Sequence, residues 1–141
     1  MRALIIDDER LARKELSKLL EEHPSIEIVG EAVNADEAEQ MITELNPDLL
    51  FLDIQMPGRT GFQLLESLES VPLVVFTTAY DEVALKAFEV NALDYLLKPI
   101  NPTELLEAVN RFQKLTSQKI KALHENLGKD FSETKKIGIS H

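Results

Sequence analysis

Five apolar runs of strand length, Ala3 to Ile6, Ile26 to Val29, Leu49 to Leu52, Leu73 to Phe76 and Tyr95 to Leu97, alternate with longer segments of helical period. The runs are continuous instead of alternating with polar residues, which is the pattern of strands covered on both faces. Between them, Ala12, Leu16, Leu19 and Leu20 form one apolar stripe, and Ala35, Ala38, Met41, Ile42 and Leu45 form another. That i, i+3, i+4 spacing lets a helix cover one face of a sheet. Three more helices are expected, from Phe62 to Leu68, from Glu82 to Val90 and from Pro102 onward, the last with Asn101 as its cap. His23-Pro24, Asn46-Pro47, Val71-Pro72 and Lys98-Pro99 fall where chain breakers belong. Strict alternation of five strands with five helices predicts an open parallel sheet with helices on both faces. Ligands of such sheets bind outside the C-terminal ends of the strands, so the residues that end strands are the candidates for function.

The length of 141 residues suits one domain plus an appendage. There is no cysteine, the N-terminal MRALIIDDER lacks the features of a secretory signal, and no apolar run approaches the roughly 18 to 20 residues of a membrane span. A soluble, cytoplasmic chain without a membrane partner is the expectation. Residues 1–110 carry 22 acidic and 8 basic side chains, whereas residues 111–141 carry 3 acidic and 7 basic. An acidic body argues against direct nucleic-acid binding, which needs clustered Lys and Arg. The basic tail reads as a solvated helix face and linker.

Asp7 and Asp8 end the first strand, Asp53 the third, Thr77 and Thr78 the fourth, and Lys98 the fifth. Three carboxylates meeting at one sheet edge repel one another, and a divalent cation resolves the conflict. Hard oxygen ligands open to water suit Mg2+, which binds through one or two carboxylates and phosphate oxygens. A Thr78 hydroxyl and the Lys98 ammonium supply further donors to a phosphoryl group, and phosphoryl transfer is mostly positioning and charge neutralisation. Asp53 is then the expected nucleophile, forming an aspartyl phosphate. Each piece alone has a structural alternative. An acidic pair ahead of a helix also serves as a cap. Asp53 before Met56-Pro57-Gly58 also suits a turn, and Tyr95 suits an ordinary half-buried strand position. His23, His124 and His141 have no partner at catalytic or metal-ligand spacing, and Gly58 and Gly61 fit no nucleotide-binding pattern.

IIDDE at 5–9, LLFLDIQMPGRTGFQLL at 49–65, VVFTTAY at 74–80 and DYLLKPI at 94–100 occur in this order, and over about residues 1–120 the chain resembles the receiver family of two-component response regulators. The resemblance implies a flavodoxin-like, doubly wound five-stranded parallel sheet of order 2-1-3-4-5 with five flanking helices. It implies that Asp53 is the phosphoacceptor for a sensor histidine kinase, and that Asp8, Asp53 and the backbone carbonyl of Gln55 bind Mg2+ directly, with Asp7 acting through a metal-bound water. It gives Thr78 the switch hydroxyl, Tyr95 the switch aromatic, Lys98 the phosphoryl-contacting lysine, and Lys98-Pro99 a cis peptide bond. Gln55 and Tyr80 stand where receivers tune dephosphorylation. Kinase choice falls on the first helix around Leu11 to Lys18 and on the loop after Lys98. Such a domain is a phosphoacceptor that dephosphorylates itself, not an enzyme acting on an external substrate.

The stretch FTTAYDEVALKAFEVNALDYLLKPI at 76–100 is most similar to the LytTR-type branch, whose receivers precede a DNA-binding domain. The expected layout is a receiver over 1–124, its last helix extended, followed by a linker over 125–141 that enters an output domain cut near its start. DNA contact would then belong to residues not in this chain. A homodimer through the fourth helix, fifth strand and fifth helix is expected. The alternative is a stand-alone phosphorelay carrier. A haloacid dehalogenase phosphatase is disfavoured because Asp7-Asp8 lacks the Asp-x-Asp spacing, and a phosphorylation-independent module is disfavoured because every site residue is present.

Overall fold

The computed structural model describes residues 1–79 and 94–115. The elements run β1 (Arg2–Ile6), α1 (Arg10–Leu20), β2 (Glu27–Ala32), α2 (Ala35–Leu45), β3 (Leu49–Asp53), α3 (Gly61–Glu66), β4 (Leu73–Thr78) and β5 (Asp94–Leu97). Residues 102–115 are helical. All four strand pairings are parallel, in the order β2-β1-β3-β4-β5. The sheet is therefore the expected one, with four helical segments among the described residues. The helix expected over 82–90 lies outside them, as does Tyr80.

Central strand β3 is buried at every residue, as its uninterrupted apolar run requires. Leu4 and Ile6, Leu50 and Leu52, and Val74 and Phe76 share one face with Ala38 and Ile42 of α2 and Phe62 and Leu64 of α3. Phe62 and Phe76 pack tilted, with ring centroids 5.1 Å apart. Ala3, Ile5, Phe51 and Val75 alternate to the opposite face. On its own apolar stripe, α1 buries Leu16 and Leu20 and touches β1. Each such side chain contributes about 1.5 to 3 kcal/mol.

Several boundaries differ from expectation. β2 runs on through Gly30, Glu31 and Ala32, because a register shift between Ala3 and Leu4 lets these residues pair with Leu4 to Ile6 although the apolar run has ended. The first helix starts at Arg10, ahead of the apolar stripe, with Glu9 as N-cap. The third covers 61–66, opened by a capping box in which Thr60 Oγ1 accepts from Gln63 N–H and Gln63 Oε1 accepts from Thr60 N–H. Asn101 caps the last helix as expected, its side chain accepting from the N–H groups of Thr103 and Glu104.

Candidate functional site

Parallel pairing brings the C-terminal ends of β1, β3, β4 and β5 to one edge, and the side chains placed there are those named from the sequence. One carboxylate oxygen from each of Asp7, Asp8 and Asp53 lies within 4.8 Å of the others. Asp7 and Asp53 are buried and Asp8 is exposed. Lys98 Nζ reaches into the cluster, 2.6 Å from Asp7 Oδ2, 3.4 Å from Asp53 Oδ2 and 3.4 Å from Glu9 Oε1. Its backbone N–H donates to Thr78 O at 2.6 Å, continuing the β4–β5 ladder, and the Lys98-Pro99 bond is cis as expected.

The loop after β3 returns at once toward its own strand. Gly61 N–H donates to Ile54 O at 2.8 Å, and a Cβ on Gly61 would sit 2.6 Å from the Asp53 carbonyl oxygen. Only glycine permits that approach. Gly58, at φ +85°, supplies the left-handed turn in the same loop. Arg59 ties the loop to α2 through Asp36 and Glu39. Gln55 N–H donates to Asp53 Oδ1 at 3.3 Å, and the Gln55 side chain is exposed.

Asp7 has both carboxylate oxygens engaged, Oδ1 by the Glu9 N–H at 2.9 Å and Oδ2 by Lys98. Burial, and then the charge of Asp7, push the Asp53 carboxyl up from 3.8 to about 7, against the opposing pull of Lys98 and the Gln55 N–H. For Lys98, burial acts to lower the ammonium pKa, but the hydrogen bond to Asp7 and the charges of Asp53, Asp7 and Glu9 outweigh it and the net shift is upward. A carboxyl that is half protonated near neutrality needs a further positive charge to ionise fully. A hard divalent cation matches the all-oxygen donor set that surrounds it.

Thr78 is fully buried at the end of β4, next to Thr77, the cross-strand partner of Asp53. Tyr95 lies half-buried beside Phe76 in the ladder and packs against the main core cluster. Sequence reasoning passed over Glu9, Arg13 and Glu31. Arg13 Nη1 donates to Asp7 O at 2.9 Å, while its Nε lies 3.4 Å from Glu31 Oε1. Glu9 was legible as a third acid following Asp7-Asp8, but nothing in local spacing links residue 13 to residue 31.

A family model described as the response regulator receiver domain matches residues 3–110. The transcriptional regulatory protein BtsR of Salmonella typhi is 48% identical over 129 residues, covering 89% of this chain and 54% of its own length. The sensory transduction protein LytT of Bacillus cereus is 41% identical over 133 residues, covering 92% of this chain and 54% of its own. This agrees with the LytTR-type pattern of residues 76–100. The chain spans about half the length of the curated relatives it matches. Among solved structures, the response regulatory domain of protein mrkE from Klebsiella pneumoniae superposes with TM-score 0.71 at 36% identity, covering 84% of this chain and 97% of that one. No helix among the described residues is long and apolar enough to cross a membrane.

Proposed function

The chain belongs to the response regulator receiver family, and on that premise we propose that Asp53 accepts a phosphoryl group from a sensor histidine kinase in a Mg2+-dependent reaction. The observation that carries this reading is the convergence of Asp7, Asp8, Asp53 and Lys98 at one sheet edge. Asp8, Asp53 and the Gln55 carbonyl would hold Mg2+ directly. Asp7, its two oxygens already engaged, would contribute through a metal-bound water. Bound there, the ion supplies neutralising charge to the acceptor carboxylate and to the phosphoryl oxygens.

The chain's own groups do the rest. An Asp53 carboxylate oxygen forms the new P–O bond as the donor's P–N bond breaks and the electron pair leaves with the donor imidazole. Lys98 turns from Asp7 and Asp53 toward a phosphoryl oxygen, a change its point charge and flexible stem allow. Thr78 donates its hydroxyl to another, and the vacated space lets Tyr95 turn inward from its half-buried place beside the core. Phosphorylation biases this pair of states only by its differential interaction with each.

The kinase docks on α1 and the turn after Lys98, where a groove of about 520 Å³ is lined by Glu15, Lys18, Leu19 and Ile100 and where Leu11 is 72% exposed. Residues 1–124 form the receiver and 125–141 lead into an output domain that binds DNA. The greater length of the relatives favours this over the stand-alone carrier. Leu97 and Leu106, both exposed, belong to the face on which a homodimer forms.

Incubating wild type and Asp53→Ala with a small phosphoryl donor and Mg2+, then weighing both intact, tests the central claim. An adduct on wild type alone, abolished by a chelator, is expected. No adduct on wild type would turn the assignment to a phosphorylation-independent interaction module.

A further inference from the structure

We propose that Arg13 is a positioning residue for the metal site, acting on the direction of the Asp8 carboxylate through the peptide that joins Asp7 to Asp8. The inference rests on the reading of the acidic cluster as a Mg2+ site. β1 ends at Ile6, and although Asp7 N–H still donates to Ala32 O at 3.0 Å, the Asp7 carbonyl lies beyond the strand. Arg13 meets it there, with Nη1 at 2.9 Å, and the same guanidinium is held from the other side by Glu31 on β2. The Arg13 side chain is only 15% exposed, so the fork is held by packing as well as by its two partners.

The peptide unit is planar, so fixing the Asp7 C=O fixes the Asp8 N–H and Cα with it. This matters most for Asp8. Asp7 is buried with both oxygens engaged, whereas Asp8 is exposed and is aimed chiefly by its backbone. The backbone is held at three points: Asp7 Oδ1 accepts Glu9 N–H, Arg13 N–H donates to Glu9 O at 3.1 Å, and the Arg13 side chain closes back onto Asp7 O. Removing Arg13 releases the last of these and leaves the Asp8 carboxylate free to swing.

The test is calorimetric titration of Mg2+ into the full chain as wild type, Arg13→Ala, Arg13→Lys and Arg10→Ala, with the rate of adduct formation followed against Mg2+ concentration. Partners that orient metal ligands are typically worth tenfold or more in affinity, so Arg13→Ala is expected to bind Mg2+ about tenfold more weakly. Its adduct rate falls by a similar factor at limiting Mg2+ and recovers at saturating Mg2+. Arg13→Lys, which reaches one acceptor but not both, falls between. Arg10→Ala removes the same charge from an exposed position on the same helix and binds as wild type does. Wild-type affinity in Arg13→Ala, or an equal loss in Arg10→Ala, would overturn the proposal while leaving the Mg2+ site standing. A wild type that takes up no Mg2+ would overturn both. If Arg13→Ala does not fold, Arg13→Lys carries the comparison, and wild-type affinity there defeats the positioning role.

Discussion

Replacing Asp53 by Asn should stabilise the metal-free domain at alkaline pH, because the folded state holds this carboxyl under conditions that disfavour its charge. Its pKa rises from 3.8 to about 7, first through burial and then through the charge of Asp7. The folded state therefore binds this proton more tightly than the unfolded chain does. Stability from the neutral form is complete below pH 3.8 and is lost as pH rises toward and through 7. At ~1.4 kcal/mol per tenfold change, the full loss is about 4 kcal/mol. Asn resembles the protonated acid and does not ionise, and Lys98 keeps its Asp7 contact. In urea, with a chelator present at pH 8, a gap of about 4 kcal/mol and an m-value of ~2 kcal/mol/M separate the two midpoints by about 2 M. The gap should shrink to near zero at pH 4. Excess Mg2+ at pH 8 should close most of it, since ligand at a hundredfold its Kd adds about 2.7 kcal/mol to the wild type alone. Using the difference between the two proteins cancels the other acidic groups of a chain whose net charge is -10. Equal midpoints at pH 8 in chelator, or a gap that widens on acidification, would refute the reasoning.

Two other substitutions probe the same edge. Gly61→Ala places a Cβ 2.6 Å from the Asp53 carbonyl oxygen, and a loss of about 1 to 3 kcal/mol in urea denaturation is expected; wild-type stability would mean the loop yields freely. Lys98→Ala should move two readouts in opposite directions. Mg2+ binding measured by calorimetry tightens because an ammonium no longer sits on the same carboxylates, while adduct formation followed by intact mass slows about a hundredfold for want of the ammonium that contacts the phosphoryl oxygen. A parallel fall in both would reduce Lys98 to a structural role.

Continuous apolar runs locate β1, β3 and β4 in the sequence because a strand covered on both faces carries few polar positions to blur it, while edge strand β5 is marked by the shorter run Tyr95 to Leu97. The last three residues of β2 are different. Gly30, Glu31 and Ala32 are strand because Leu4 to Ile6 offer them partners, and pairing is a property of two segments at once. The same distinction divides the site. Asp7, Asp8, Asp53 and Lys98 were legible because each ends or directly follows a strand, and parallel strands deliver their ends to one edge. Arg13 was not, since its partners are a backbone carbonyl six residues back and Glu31 on another strand. The role of Gly61 was partly legible: a glycine at a loop end announces a close approach, but only the fold reveals that the approaching atom is the Asp53 carbonyl oxygen.

The ladder register has an evolutionary consequence. Ile6 pairs with Leu52, Asp53 with Thr77, and Thr78 with Leu97, so the chemical groups are counted out from one hydrogen-bonded grid. Deleting one residue inside β3 would put the residues on one side of the deletion onto the wrong face, turning Asp53 from its partners or Leu50 out of its core cluster, because side chains alternate with period two. The same deletion at the other end of a helix, in the turn around His23 and Pro24, moves nothing on that grid. Length variation among descendants of such a chain should therefore collect in the turns that enter strands from the far edge, while the strands stay fixed to the residue. Gene shuffling that cuts there would exchange helices without disturbing the site.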